Sequence, residues 1–259
     1  MNKNTITGFV LIALVLIGFN WISRPSQEEL AEMARQDSIA AVQQRQTEAH
    51  KKAAKQQAVA QNTDSTALFF VQRGKQGQNI TLENSQVKLT LSTLGGMVQR
   101  AEILGYKSRR HEGNVEILTP ETSQMTLTLA GKTENINTNN YCFTPTAQTD
   151  STVDMVLEQD SKQLTISYRL RPESYMLEMD VKAEGLDGFF APNQKTFSVS
   201  WTDHLMQQEK GYEFENRYSC LTYKRKGEGT KNLKETSEDE KKPEEALDWI
   251  AFKNQFFSE

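Results

Sequence analysis

The chain has 259 residues, 37% of them hydrophobic and 25% charged, with a formal net charge of −4. That balance offers no basic field for nucleic acid, and a mean hydropathy of −0.64 excludes a multi-span membrane protein. What it allows is one hydrophobic anchor and one sizeable folded body.

An apolar run from Gly8 to Phe19, extended by Ile6 and by Trp21-Ile22, opens the chain. At about 17 residues it meets the low end of what crosses a bilayer core as a helix. A cleaved signal would end in a small-x-small site. Here the run is followed by Asn20-Trp21-Ile22-Ser23-Arg24-Pro25, with no Ala-x-Ala and no cysteine for a lipid anchor. Trp21 stands where an interfacial aromatic belongs. Residues 1–23 therefore read as an uncleaved transmembrane anchor. Lys3 and the free amine precede it, while Arg24 follows in the company of Glu28, Glu29 and Glu32. Loop positive charge then places the N-terminus inside and the bulk outside.

Residues 24–78 read as a polar linker, helical or disordered. The stretch from Ser26 to about Thr66 is rich in Ala, Gln, Glu and Lys, which are good helix formers. Its apolar positions (Leu30, Met33, Ala34, Ala40, Ala41) are too sparse for a core and show no sustained heptad. A helical spacer of that length would reach about 50 Å.

Near Asn79 the period changes to two. Val87, Leu89 and Leu91 alternate with polar neighbours, as do Met125, Leu127 and Leu129, then Leu164, Ile166, Tyr168 and Leu170. Tyr175, Leu177, Met179 and Val181 give a fourth run, and Phe197, Val199 and Trp201 a fifth. Such alternation is the mark of half-buried strands. Turn chemistry separates the runs at Gly95-Gly96, Gly113-Asn114, Gly131-Lys132, Asn139-Asn140, Asp160-Ser161, Arg171-Pro172 and Asp187-Gly188. Many strands with short connections predict a mainly β body over residues 79–259, an antiparallel β-sandwich. The charged residues 225–246 read as a mobile, solvated loop inside it. Trp249-Ile250-Ala251-Phe252-Lys253-Asn254-Gln255-Phe256-Phe257 then brings an aromatic strand two residues before the end. An aromatic strand in that position exposes an apolar face or an unpaired edge, so the natural protein is expected to continue.

Cys142 and Cys220 lie far apart, each in a strand-like stretch. They could pair in an oxidising compartment. The reading as two buried thiols acting as small hydrophobes is preferred, since a large domain needs no staple.

Catalytic and metal signatures are missing. His50, His111 and His204 are isolated, and no CxxC, HExxH, GxSxG, GxGxxG or phosphate-binding loop occurs. Asp203-His204 is the one acid–base candidate, with Glu173 or Glu178 as distant carboxylates for an aldose-epimerase-like enzyme. The plain reading of Asp203-His204 is a surface loop pair. No cofactor or metal site is therefore expected.

Four features together resemble the YidC family of bacterial inner-membrane protein insertases, in its Bacteroidetes form. They are the N-terminal span opening Met1-Asn2-Lys3-Asn4, the Gln/Ala/Lys linker, the hairpin Thr93-Leu94-Gly95-Gly96 with Tyr106 downstream, and the aromatic segment. In that segment Trp249, Ala251, Phe252, Gln255, Phe256 and Phe257 carry the family pattern Trp-x-Ala-x-x-x-Gln/His-Tyr/Phe-Phe. The resemblance implies a galactose-mutarotase-like periplasmic sandwich that continues past the aromatic segment, then an insertase core of transmembrane helices with a groove arginine. None of that core falls within these residues, and Arg24 matches nothing in it.

The implied work is physical rather than enzymatic: assisting insertion and folding of membrane proteins at the bacterial inner membrane. Its implied partners are the lipid bilayer, nascent membrane proteins and Sec translocon components, with no nucleic acid. The alternative is a membrane-anchored periplasmic binding module for glycans or peptides, which a mutarotase-like fold permits but does not establish.

Overall fold

The computed structural model describes residues 67–109, 112–190, 196–208, 215–234, 238 and 240–259. The expected anchor over residues 1–23, and the expected linker as far as residue 66, lie outside the described residues. Among the described residues no helix is long and apolar enough to cross a membrane.

After a 3-10 turn at Phe70–Gln72 the strands follow in order, with a second 3-10 turn at Thr138–Asn140 between the sixth and seventh. They are β1 (Asn79–Glu83), β2 (Val87–Ser92), β3 (Val98–Lys107), β4 (Asn114–Leu118), β5 (Ser123–Ala130), β6 (Asn135–Asn137) and β7 (Thr144–Thr146). Then come β8 (Thr152–Gln159), β9 (Lys162–Leu170), β10 (Leu177–Glu184), β11 (Phe197–Asp203), β12 (Cys220–Arg225), β13 (Thr230–Lys234) and β14 (Leu247–Lys253). They form four sheets, ordered β1-β2-β3-β4, β10-β9-β8-β7, β11-β5-β6 and β13-β12-β14. Every strand pairing among the described residues is antiparallel, so the fold is mainly β, as the alternation predicts.

One core joins strands of three sheets. Leu82 of β1, Leu91 of β2, Leu127 of β5, Ile136 of β6, Met155 and Leu157 of β8, and Leu164 and Ile166 of β9 are wholly enclosed in one cluster. Burying each such side chain is worth about 1.5–3 kcal/mol relative to leaving it in water. The expected inward rows of β2 and β9 are the rows that are buried.

The connection from β2 to β3 depends on two glycines. Gly95 and Gly96 have φ of +89° and +72°, a left-handed backbone that glycine enters without a Cβ clash. A Cβ on Gly96 would also press on the Phe143 ring at 3.2 Å and Ile166 at 3.3 Å. The Gly96 carbonyl accepts a hydrogen bond from the Tyr168 hydroxyl at 2.8 Å, and burial raises the Tyr168 pKa above its ordinary value.

Four expectations differ from the structure. First, residues 67–73 of the expected linker belong to the domain: Ala67, Leu68, Phe69 and Arg73 are buried. The apolar run Ala67-Leu68-Phe69-Phe70 gains more from the core than a polar spacer would. Second, Tyr175 does not begin β10. It is exposed in a turn whose Arg171 and Ser174 carbonyls both accept from the Asn84 side chain, at 2.7 and 2.8 Å. Third, Phe197 and Val199 stay 48% exposed. Their register opposite Leu129 and Leu127 puts them on the core-facing side of the sheet, but β11 is that sheet's edge. Alternation fixes the face a side chain takes, not whether the core extends that far. Fourth, part of the expected loop 225–246 is β13, hairpinned to β12 beside a turn where Gly227 has φ of +79°. Backbone pairing does not require apolar side chains, which is why a charged sequence can form this strand. Cys142 and Cys220 are both free and half-buried.

Candidate functional site: an apolar cleft beside the aromatic segment

The aromatic segment is organised by its one asparagine. After β14 the chain turns at Asn254, whose Oδ1 accepts from the backbone N–H of Phe256 and of Phe257, each at 2.8 Å. The Asn254 N–H donates to the Phe257 carbonyl at 3.0 Å. A short side chain that mimics a backbone turn in this way is what asparagine does best. Asn254 is only 5% exposed, and its amide nitrogen donates to Glu215 Oε1 at 3.3 Å. Glu215 is itself buried and accepts from the Gln208 N–H through both oxygens, at 3.0 and 3.1 Å. Gln208 Nε2 then donates to the Glu116 carbonyl of β4 at 2.7 Å. A polar chain thus ties the end of β14 to the first sheet.

That turn aims two phenylalanines at a cleft of about 870 Å³. Val87, Ile103 and Val115 of β2–β4, Met125 of β5 and Trp201 of β11 line it, together with Phe256 and Phe257. Phe257 packs on the core and meets the Tyr106 ring edge to face, with centroids 6.4 Å apart. Trp201 meets Phe252 in the same geometry at 5.0 Å and donates its indole N–H to Ser123 Oγ at 3.0 Å. Edge-to-face pairs of this kind add about 0.5–1.5 kcal/mol beyond their buried area.

The charged side chains that line the cleft are Lys107 and Glu259, and Asp203 lies close enough to Glu259 to act on its carboxyl. Burial first, and the charge of Asp203 second, push the Glu259 carboxyl up to about 8. Burial also raises Asp203, while Ser123 and His204 offset part of that rise. Neither Asp203 nor His204 lines the cleft, and neither do Glu173 and Glu178. Glu178 is held in an ion pair with Arg171. Among the described residues no three His, Cys, Asp or Glu side chains cluster as metal ligands.

The structure brings together only part of the motif seen in sequence. Tyr106, Phe256 and Phe257 meet at the cleft, and Phe252 supports it through Trp201. Gly95 and Gly96 act elsewhere, in the β2–β3 connection. Trp249 is exposed on β14 opposite Lys224, and Ala251 is half-buried opposite Thr222. Gln255 is half-buried inside the Asn254 turn. Sequence reasoning passed over Asn254, although an asparagine between a strand and two aromatic residues is a turn signal. Glu215 and Gln208 carry no local signal at all.

Fold and cleft define a class: a mainly β domain of antiparallel sheets with an open apolar cleft at its aromatic C-terminal segment. The family follows from comparison. The YidC periplasmic domain family matches residues 79–259, and the chain belongs to it. The chain is 41% identical over its whole length to the membrane protein insertase YidC of Phocaeicola vulgatus, 39% to that of Bacteroides fragilis and 33% to that of Porphyromonas gingivalis. It spans 42%, 42% and 43% of those proteins respectively, less than half of each. Among solved structures, a galactose mutarotase related enzyme from Lactobacillus acidophilus is a distant likeness. It shows 12% identity and a TM-score of 0.38, over 66% of this chain and 60% of its own.

Proposed function

We propose that the chain is the anchor and periplasmic portion of a membrane protein insertase, which assists insertion and folding of integral membrane proteins at the bacterial inner membrane. The observation that carries this reading is similarity along the whole chain, not only the β domain, to proteins named as insertases. The N-terminus lies in the cytoplasm and the β domain in the periplasm, as the charge distribution around the apolar run favours. The work is physical: a hydrated path beside lipid lowers the cost of moving polar segments, and no bond is made or broken. The clients are nascent membrane proteins, taken up alone or from the Sec translocon. The β domain is a scaffold and docking surface, and Gly95, Gly96, Tyr106 and the Trp249–Phe257 motif residues are structural members of it. Its apolar cleft is better suited to apolar side chains than to glycan hydroxyls, which need convergent polar partners.

The test is reconstituted insertion of a model membrane protein into vesicles. Vesicles holding a protein extended to the length of its relatives should insert the client, and vesicles holding residues 1–259 alone should not. Insertion by residues 1–259 alone would refute the division of labour. Failure of both, with the protein folded and embedded, would turn attention to the anchored binding module.

A further inference from the structure

The segment Ala67–Arg73 lies upstream of the family match, which begins at residue 79, yet it is bound tightly to the domain. Phe69 is 0% exposed and meets the Tyr141 ring edge to face at 6.2 Å. The Phe69 N–H donates to Gln159 Oε1 and the Leu68 N–H to Glu134 Oε1. Gln72 Nε2 donates to the Glu158 carbonyl at 2.9 Å, and the Cys142 N–H to the Gln72 carbonyl at 2.8 Å. Arg73 is buried, donates to the Tyr141 hydroxyl at 2.6 Å and lies 3.4 Å from Glu134.

Three features set this segment apart from the strands. Among the described residues its one ladder contact is the isolated bridge Arg73–Tyr141, and the rest of its hold is the burial of Ala67, Leu68 and Phe69, the Arg73 guanidinium over the Tyr141 ring and side-chain hydrogen bonds. A piece of chain held that way opens as a local unit, below the free energy of global unfolding. Phe69 has φ of +57°, a conformation disfavoured for a bulky side chain, so detachment releases strain. Downstream, Gly74–Gln78 have no regular structure, and Gln78 is pinned to Thr93, donating its N–H to Oγ1 at 2.7 Å and accepting from the Thr93 N–H at 2.8 Å, so the segment can leave without pulling on β1.

We propose that Ala67–Arg73 is a detachable latch that sets whether the chain is held to the domain from residue 67 or from residue 76. Docked, it fixes the entry point of the chain against residues 134, 141–142 and 158–159. Undocked, it frees residues 67–75, which at about 3.3–3.6 Å per residue add roughly 30 Å of reach. The inference stands on the domain alone and does not depend on the insertase reading.

The test uses the full chain in detergent, with trypsin and hydrogen exchange read by mass spectrometry. In the unaltered chain, cleavage after Arg73 is slow, and the amides of Leu68, Phe69 and Cys142 exchange together, faster than those of β9. Phe69→Ala should speed cleavage after Arg73 by at least about 10-fold while the domain keeps a cooperative melt. Gln159→Ala, which removes one acceptor without opening the core, should give a smaller increase of the same kind. Unchanged cleavage in both variants overturns the proposal. So does exchange of the latch amides only together with β9, or loss of the cooperative melt in Gln159→Ala, since the segment would then be part of the core.

Discussion

Replacing Asn254 by alanine should destabilise the domain by about 2–3 kcal/mol. The figure follows from what the side chain does. Its Oδ1 accepts two backbone N–H groups at 2.8 Å, and each such bond contributes about 1 kcal/mol net. Its amide also faces the buried Glu215 carboxylate, and removing a donor from a buried charge adds about another 1 kcal/mol. For a domain of this size the loss corresponds to a melting temperature lower by about 5–10 °C. Chemical denaturation followed by tryptophan fluorescence measures it directly, since Trp201 packs on Phe252 beside the turn. Asn254→Asp separates the two contributions. An aspartate keeps both acceptors of the turn but gives up the amide donor to Glu215, so the turn should survive while the Glu215 contribution is lost. A loss below about 0.5 kcal/mol in Asn254→Ala would refute the reasoning.

Three further outcomes are expected. Asp203 and Glu259 both have carboxyl pKa values raised in the fold. The folded state therefore holds their protons to higher pH than the unfolded chain does, and stability falls as pH rises from about 4.5 toward about 8. Asp203→Asn should flatten that fall in denaturation curves taken across the window; a steeper fall would contradict the assignment. Gly96→Ala should cost about 1–3 kcal/mol through its positive φ and the Phe143 contact, seen as a lower denaturation midpoint, whereas Gly188→Ala, where no atom lies near, should change little. Val199→Lys on the exposed edge strand β11 should lower self-association in sedimentation at high concentration, because the strand has no charged residue before Asp203 to deter edge pairing. An unchanged sedimentation profile would show that the edge is covered.

The motif Trp249–Phe257 looks like one unit in sequence, yet its members point to different tasks. Phe252 and Phe257 make ring contacts that hold the cleft, Trp249 faces solvent, and the residue that shapes the turn is Asn254. A pattern of aromatic residues shows that a segment matters to the fold. It does not show which side chain shapes the turn.

The local code determined β2, β9 and the connection at Gly95-Gly96, because alternation and left-handed glycines depend only on a residue and its near neighbours. It also determined the antiparallel class, since short turns between alternating runs leave little else. Only tertiary structure decided that Phe69 is buried and Phe197 is not. Nothing local marks the depth of either phenylalanine, and what separates them is the presence or absence of a partner surface far away in sequence. Only tertiary structure joined Asn254 to Glu215 and Gln208, and turned part of a charged stretch into β13. Burial and pairing of this kind are set by contacts between distant segments, whose energies no local window of sequence contains.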